Sequence, residues 1–270
     1  MTEQTSQFLQ RSPALPFVEL RQADRSSACY QQHTHDEFSF GVIDQGHTLY
    51  RNRDQSQRIG AGSMVTVNPG EVHSCNPAAG LWSYRMLFLN AAWLGELQRE
   101  VFGGSEDYQC FPGATNLRAG AAAQFDQLFA SMLDADTSLA AETQLLELLQ
   151  PLFSAGSIAA LPKHSGVQQA RDLIMDQLDT NLQLDTLADV AGLNRYQLIR
   201  SFKREFGQAP HAFQLDARIK QARLRLRAGE HSLNGLALDL GFADQAHFQR
   251  HFKLRTALTP GQYRAFYRAA

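Results

Sequence analysis

This chain is poor in sulfur and has no long apolar run. Its three cysteines, Cys29, Cys75 and Cys110, stand far apart with no CxxC pair, which excludes both a disulfide framework and a zinc motif. No stretch approaches the roughly 18 consecutive apolar residues of a membrane-spanning helix. The N-terminus, MTEQTSQFLQRSPALPF, lacks the basic start and continuous apolar core of a signal peptide. A cytoplasmic protein with no membrane partner is therefore expected. Low-complexity tracts are also missing, so the 44% of hydrophobic residues can build ordered cores, and 270 residues suffice for about two domains.

Net charge is nearly absent as well, at −2, but the balance is uneven along the chain. Residues 1–166 hold 10 Lys and Arg against 17 Asp and Glu, whereas residues 167–270 hold 15 against 10, so the two parts stand at −7 and +5. A polyanionic partner is expected at the basic C-terminal part.

The most informative feature present is a duplication. Gly192-Leu193-Asn194 leads through Leu198 and Arg200 to Phe202-Lys203. After 49 to 50 residues, Gly241-Phe242 leads through Asp244, Phe248 and Arg250 to Phe252-Lys253. Each copy reads as a helix-turn-helix: a short apolar helix (Leu184, Leu187, Ala188, Ala191; then Leu233, Leu236, Ala237, Leu240) stopped by Gly, then a helix capped by Asn194 or Asp244. In the second helix of the first copy, Leu198, Phe202 and Phe206 recur every four residues and must face inward. Arg195, Tyr196, Ile199, Arg200 and Lys203 are left on the outer face. In the second copy, Phe248 and Phe252 turn inward and Gln245, Ala246, Gln249, Arg250 and Lys253 face out. These outer residues suit a major groove: arginine can donate two hydrogen bonds to guanine, glutamine can pair with adenine, and lysine suits phosphate.

A helix over residues 211–228, launched at Pro210 and closed by Gly229, joins the copies; Phe213, Ile219, Ala222 and Leu226 form its apolar stripe. Arg218, Lys220, Arg223, Arg225 and Arg227 crowd its other faces, either as a solvated surface or as partners of phosphates. At 1.5 Å per residue such a helix is about 27 Å long, so two reading helices can meet major-groove turns about 34 Å apart.

The N-terminal half alternates short apolar segments with turns over residues 17–90, at 38–43, 48–51, 64–67 and 83–89, which predicts a small β-barrel or jelly roll. Residues 121–153 switch to a helical period, with Phe125, Leu128, Phe129, Met132 and Leu133 in one stripe and Leu145, Leu146, Leu148, Leu149 and Leu152 in another. Two antiparallel helices are expected, packed on the barrel or forming a homodimer interface. The expected architecture is α+β: a domain over 1–153, a linker over 154–166 and an all-α domain over 167–270.

Residues 167–268 resemble the DNA-binding domain of the AraC/XylS family of transcription regulators. The resemblance rests on Leu187-Ala188, Gly192, Leu198-x-Arg200-x-Phe202-Lys203, Gly207-x-x-Pro210, Arg218, Ala222-Arg223, Leu236-Ala237, Gly241-Phe242, Asp244, Phe248-x-Arg250-x-Phe252-Lys253 and Thr259-Pro260-x-x-Tyr263-Arg264. It implies that Tyr196, Ile199, Arg200, Ala246 and Arg250 sit where family members touch DNA. Asn194, Phe213 and Ala257 depart from the usual Ser, Tyr and Gly; Ala257 costs about 1 kcal/mol if its position needs positive φ.

The run His33-Thr34-His35-Asp36-Glu37, then Gly46, Gly62, Pro69-Gly70-Glu71-Val72-His73 and Asn76, is similar to the two half-motifs of a cupin barrel. Alternation places His33, His35 and Glu37 on one strand face pointing into the barrel beside His73. Two assignments are open. One is an effector site of His33, His35, Glu37, His73, Tyr50 and Arg85, with no cofactor, in which Arg85 holds a carboxylate or pairs with Glu37 or Glu71. The other is a cupin metalloenzyme using the imidazoles and carboxylate for Zn, Fe(II) or Mn. The first fits the resemblance and implies an effector-responsive activator that acts on promoter DNA with RNA polymerase as partner.

Overall fold

The computed structural model describes residues 6–52, 55–102, 108–111, 121–154, 165–229 and 232–268. The chain forms two compact units, residues 1–29 with 35–159 and residues 30–34 with 160–270.

Among the described residues the first unit holds eight strands: β1 (Ser6–Arg11), β2 (Val18–Ser26), β3 (Phe38–Gln45), β4 (His47–Asn52), β5 (Gln55–Gly60), β6 (Met64–Val67), β7 (His73–Pro77) and β8 (Trp82–Leu89). They make two antiparallel sheets, ordered β1-β2-β8-β3-β6 and β5-β4-β7. The α-helices described after them are α1 (Ala91–Phe102), α2 (Ala121–Ser131) and α3 (Ser138–Ser154). The alternation of a strand explains the layering. Phe38, Phe40 and Val42 of β3, with Leu87 and Leu89 of β8, join Phe125, Leu128 and Phe129 of α2 and Leu145, Leu148 and Leu149 of α3 in one core. The fully buried Phe125 ring stands edge-on to Phe40 with centroids 5.8 Å apart. The expected helical stripes lose two members. Leu133 lies past the last turn of α2 and is 44% exposed, and Leu146, one position off the Leu145–Leu149 row, is 37% exposed.

Strand β1 and helix α1 were not among the expected elements, and β2, β5 and β7 fall within the expected β region of 17–90 without being among its expected segments. Asn68 anchors the segment 108–111: its side-chain amide donates to the Phe111 carbonyl, and its oxygen accepts from the Phe111 amide and the Tyr108 hydroxyl. No pattern along the chain announces such a long-range clasp.

The second unit holds α4 (Ser165–Asp176), α5 (Leu184–Ala191), α6 (Arg195–Phe206), α7 (Pro210–Arg227), α8 (Leu233–Asp239), α9 (Gln245–Thr256) and α10 (Pro260–Arg268). Helix α6 starts at a capping box, in which the Asn194 side chain accepts from the Gln197 amide and the Gln197 side chain accepts in return from the Asn194 amide. Asp244 caps α9 through the His247 amide, and Ser232 caps α8 through the Gly235 amide. The expected linker, 154–166, falls largely outside the described residues; its ends belong to α3 and α4.

Helix α9 ends on Ala257 at φ +58, whereas α6 ends on Gly207 at φ +74. A left-handed conformation crowds the Cβ of an L-residue at a cost of about 1–2 kcal/mol, which glycine escapes. Ala257→Gly is therefore expected to stabilise the chain by about 1 kcal/mol, read as a higher urea midpoint at unchanged slope. A midpoint at or below that of the unaltered chain would count against the strained cap.

Candidate functional site

Each reading helix is oriented by what lies beneath it. In α6, Leu198 and Phe202 are fully buried, with Phe202 ringed by Phe206 at 4.6 Å and Phe213 at 5.4 Å. Arg195, Ile199, Arg200 and Lys203 are consequently exposed; the side chain of Tyr196 lies outside the described residues. Arg195 is tied to Asp185 of α5 by an ion pair. In α9, Phe248 and Phe252 are fully buried, Phe252 against Tyr263 of α10 at 5.4 Å. Ala246, Arg250 and Lys253 are exposed, and Gln245 and Gln249 are half-buried. Two short helices thus present cations and small or amide side chains outward, over cores that allow no rotation of the helix.

The cations of α7 divide. Arg223 and Arg227 donate to the Tyr263 hydroxyl at 3.3 and 2.7 Å, and Arg225 pairs with Asp239 at 2.8 Å. Arg218, expected on a solvated face, is instead only 6% exposed. The expectation failed because periodicity counts charge as outward-facing, whereas this guanidinium finds buried backbone acceptors.

In the first unit the expected effector residues separate. Strand β3 begins at Phe38, so His33, His35 and Glu37 do not share a strand face as expected; His33 forms an isolated bridge, and His35 and Glu37 lie in irregular chain before β3. His33 belongs to the 30–34 segment of the helical unit, where its Nδ1 donates to the Gln31 carbonyl at 2.9 Å. In the same segment the Gln31 amide donates to the Leu254 carbonyl, and the Thr34 amide and hydroxyl both donate to the buried carboxylate of Asp216.

His35 and His73 do meet. Their rings stand edge-on at 4.8 Å, and Phe88 flanks His35 at 5.4 Å. Carbonyl oxygens of Glu37 and Glu71 take the Nδ1 hydrogens of His35 and His73, which leaves the Nε2 of His35 to accept from the Ser39 hydroxyl at 3.2 Å. Burial pushes the His73 pKa down, so it is neutral. Tyr50 is buried, hydrogen-bonded to the Thr66 carbonyl and to Asn52, and burial raises its pKa. Arg85 is a correction: alternation along β8 puts it on the Leu87 face, opposite Phe88, where it pairs with Asp44 and Asp126 and lies over the Phe125 and Phe129 rings. Phe40 faces the helices by the same alternation along β3. Among the described residues no group of three His, Cys, Asp or Glu is arranged to hold a metal ion.

Two family profiles match this chain: an AraC-like ligand binding domain over residues 18–149 and a helix-turn-helix domain over residues 187–265. The chain is 27% identical over 224 residues to an uncharacterized HTH-type transcriptional regulator, YbfI, of Bacillus subtilis, with 81% of each protein covered. It is 24% identical over 249 residues to the HTH-type transcriptional activator RhaS of Pectobacterium carotovorum, with 87% of this chain and 88% of that one covered. In fold it is similar to an apo variant of ToxT from Vibrio cholerae, at a TM-score of 0.61 and 15% identity, with 93% of this chain and 97% of that one covered.

A histidine pair on α9 itself, His247 and His251 at i, i+4 spacing, was not singled out in the sequence, although that spacing puts both on one helix face. His247 and His251 stand edge-on at 4.6 Å, and His251 lies against Arg255. Burial, then Arg255, His247, His211 and Arg250, push the His251 pKa down from 6.5 to about 4. The unfolded chain therefore binds the extra proton across this window, and His251 contributes stability at neutral pH that is lost as pH falls. Asp216 works in the opposite sense, since burial raises its pKa. The difference between variants isolates the imidazole: the urea midpoint of His251→Gln is expected to fall less steeply from pH 6.5 to about 4 than that of the unaltered chain. Equal slopes would assign the protons elsewhere.

Proposed function

We propose a function from one premise: this chain belongs to the AraC/XylS family of transcription regulators, with an AraC-like ligand binding domain ahead of a helix-turn-helix domain. It is a DNA-binding transcription regulator. In our reading α6 and α9 enter two successive major grooves of promoter DNA, with Arg200 and Arg250 on guanine edges and Ile199 and Ala246 against thymine methyls. Tyr196, Gln245 and Gln249 complete the base-reading set, and Arg195, Lys203 and Lys253 serve phosphates. The observation that carries this reading is the pairing of fully buried Leu198 and Phe202, and of Phe248 and Phe252, which turns Arg200 and Arg250 outward.

The first unit, in this reading, takes a small organic effector at the His35–His73 pair, with Tyr50 and Phe88 beside it. Two imidazoles and a buried phenol offer hydrogen bonds within an apolar wall, which suits a polar organic molecule. The effector acts by binding one arrangement of the protein better than another, and activation proceeds with RNA polymerase at the promoter. Exposed Leu133, Leu139 and Leu146 support a homodimer through α2 and α3. The division of labour follows residues 1–153, 154–166 and 167–270. The cupin metalloenzyme is not favoured, since the matched domains are those of regulators.

Fluorescence anisotropy on an operator selected from random duplexes by the full-length chain tests the interface. Arg200→Ala and Arg250→Ala are each expected to cost about 1–3 kcal/mol, roughly 5- to 150-fold, and to relax preference at one base. Lys203→Ala should weaken all duplexes alike and reduce the salt slope by about 1. If both arginine variants bind the operator as tightly as the unaltered chain, the assignment of reading helices fails.

A further inference from the structure

Of the five cations on α7, one is withdrawn from solvent. The Arg218 guanidinium donates from Nε to the Leu178 carbonyl at 2.5 Å, from Nη2 to the Thr180 carbonyl at 3.0 Å, and from Nη1 to the Gly241 carbonyl at 2.8 Å. Its Cζ lies 5.7 Å from the Phe242 ring centroid. Gln214, one turn earlier, donates to the same Thr180 carbonyl at 2.8 Å. Leu178 and Thr180 follow α4, which packs on α5 and α6 in the first helix-turn-helix. Gly241 is the turn between α8 and α9 of the second. One side chain therefore bonds the turns of both halves.

The turns approach as closely as backbone permits. A Cβ at Gly241 would fall 2.1 Å from the Asp179 carbonyl oxygen and 2.7 Å from Nη2 of Arg218, and Gly241 itself sits at φ +73. Two constraints at one residue, positive φ and no room, make glycine necessary there. Burying a guanidinium costs free energy unless its donors are met, and it stays charged at any working pH. Three carbonyls around one planar fork satisfy it in a fixed geometry, whereas a lysine ammonium cannot span the same acceptors. Simple cohesion between helices needs only apolar contact, so a buried charge bonded to both turns points to a geometric task.

We infer that Arg218 is a positioning residue for DNA recognition: it fixes the placement of α9 relative to α6, and thereby the half-site spacing the protein accepts. The inference rests on the two-groove reading of the preceding subsection. A pair of rigidly placed helices should demand half-sites about one helical turn, 10–10.5 base pairs, apart. A pair without the fork should tolerate other spacings.

The test uses the full-length chain and three kinds of duplex: the selected operator, the operator with its half-sites moved two base pairs together or apart, and a duplex keeping only the half-site of α6. The unaltered chain is expected to lose about tenfold when the spacing changes. Arg218→Lys should bind the native spacing about tenfold more weakly, bind all spacings alike, and keep its affinity for the single half-site within about twofold. A spacing profile as sharp as that of the unaltered chain, or an equal loss on the single half-site, overturns the inference, the latter because Arg218 would then merely hold the first half folded. Should Arg218→Lys lose its helical circular dichroism, Gln214→Ala, which removes the neighbouring bond to Thr180, decides by the same profile. An unaltered chain indifferent to spacing would defeat the two-groove reading itself, a result distinct from a spacing-selective chain whose variant is equally selective.

Discussion

Burial of two residues one helical turn apart under each reading helix is the constraint on which the rest of the second unit depends. Leu198 and Phe202 in α6, and Phe248 and Phe252 in α9, are removed from solvent completely. Each is an apolar side chain worth roughly 1.5–3 kcal/mol to bury. Rotating either helix to hide its arginines would expose that surface, so Arg200 and Arg250 are outward because the apolar residues are inward. Caps at Asn194 and Asp244 then fix where each helix starts, which sets the residues of its first turn.

The same division of faces runs through the first unit with a period of two. On β8, Leu87 and Leu89 go to the helix-covered core, and Tyr84 and Phe88 to the other side. Arg85 follows Leu87. Its charge is met there by Asp44 and Asp126 and its plane by two phenylalanine rings. An arginine so engaged contributes to the seat of α2 on the sheet, and the polar character of the opposite face is left to His35, His73, Tyr50 and Ser39. Imidazoles whose Nδ1 hydrogens are committed to backbone carbonyls form a hydrogen-bonding rim, and at His73 burial opposes protonation.

Buried charge marks the places where geometry is specified. Arg218 reaches three carbonyls from two separate turns, and Asp216 accepts two hydrogen bonds from Thr34 with Arg255 close by at 3.7 Å. Apolar packing is tolerant of small slides between helices. A guanidinium fork or a doubly bonded carboxylate is not, since a displaced partner leaves an unmet polar group out of water.

Local chemistry along the chain determined the repeated helix-turn-helix, its caps, the inward phenylalanines and the outward cations, because a helix period and an N-cap are properties of a few adjacent residues. It determined the sheet and helical-pair segments at 38–43, 64–67 and 121–153 for the same reason. Three-dimensional folding alone decided which face of β8 carries Arg85, that His33 joins the helical unit while His35 meets His73, and that Arg218 is interior. Those outcomes depend on partners 40 or more residues away for Arg85 and 23 to 40 for Arg218. No spacing rule along the sequence reports which distant carbonyl or carboxylate will meet a charged side chain.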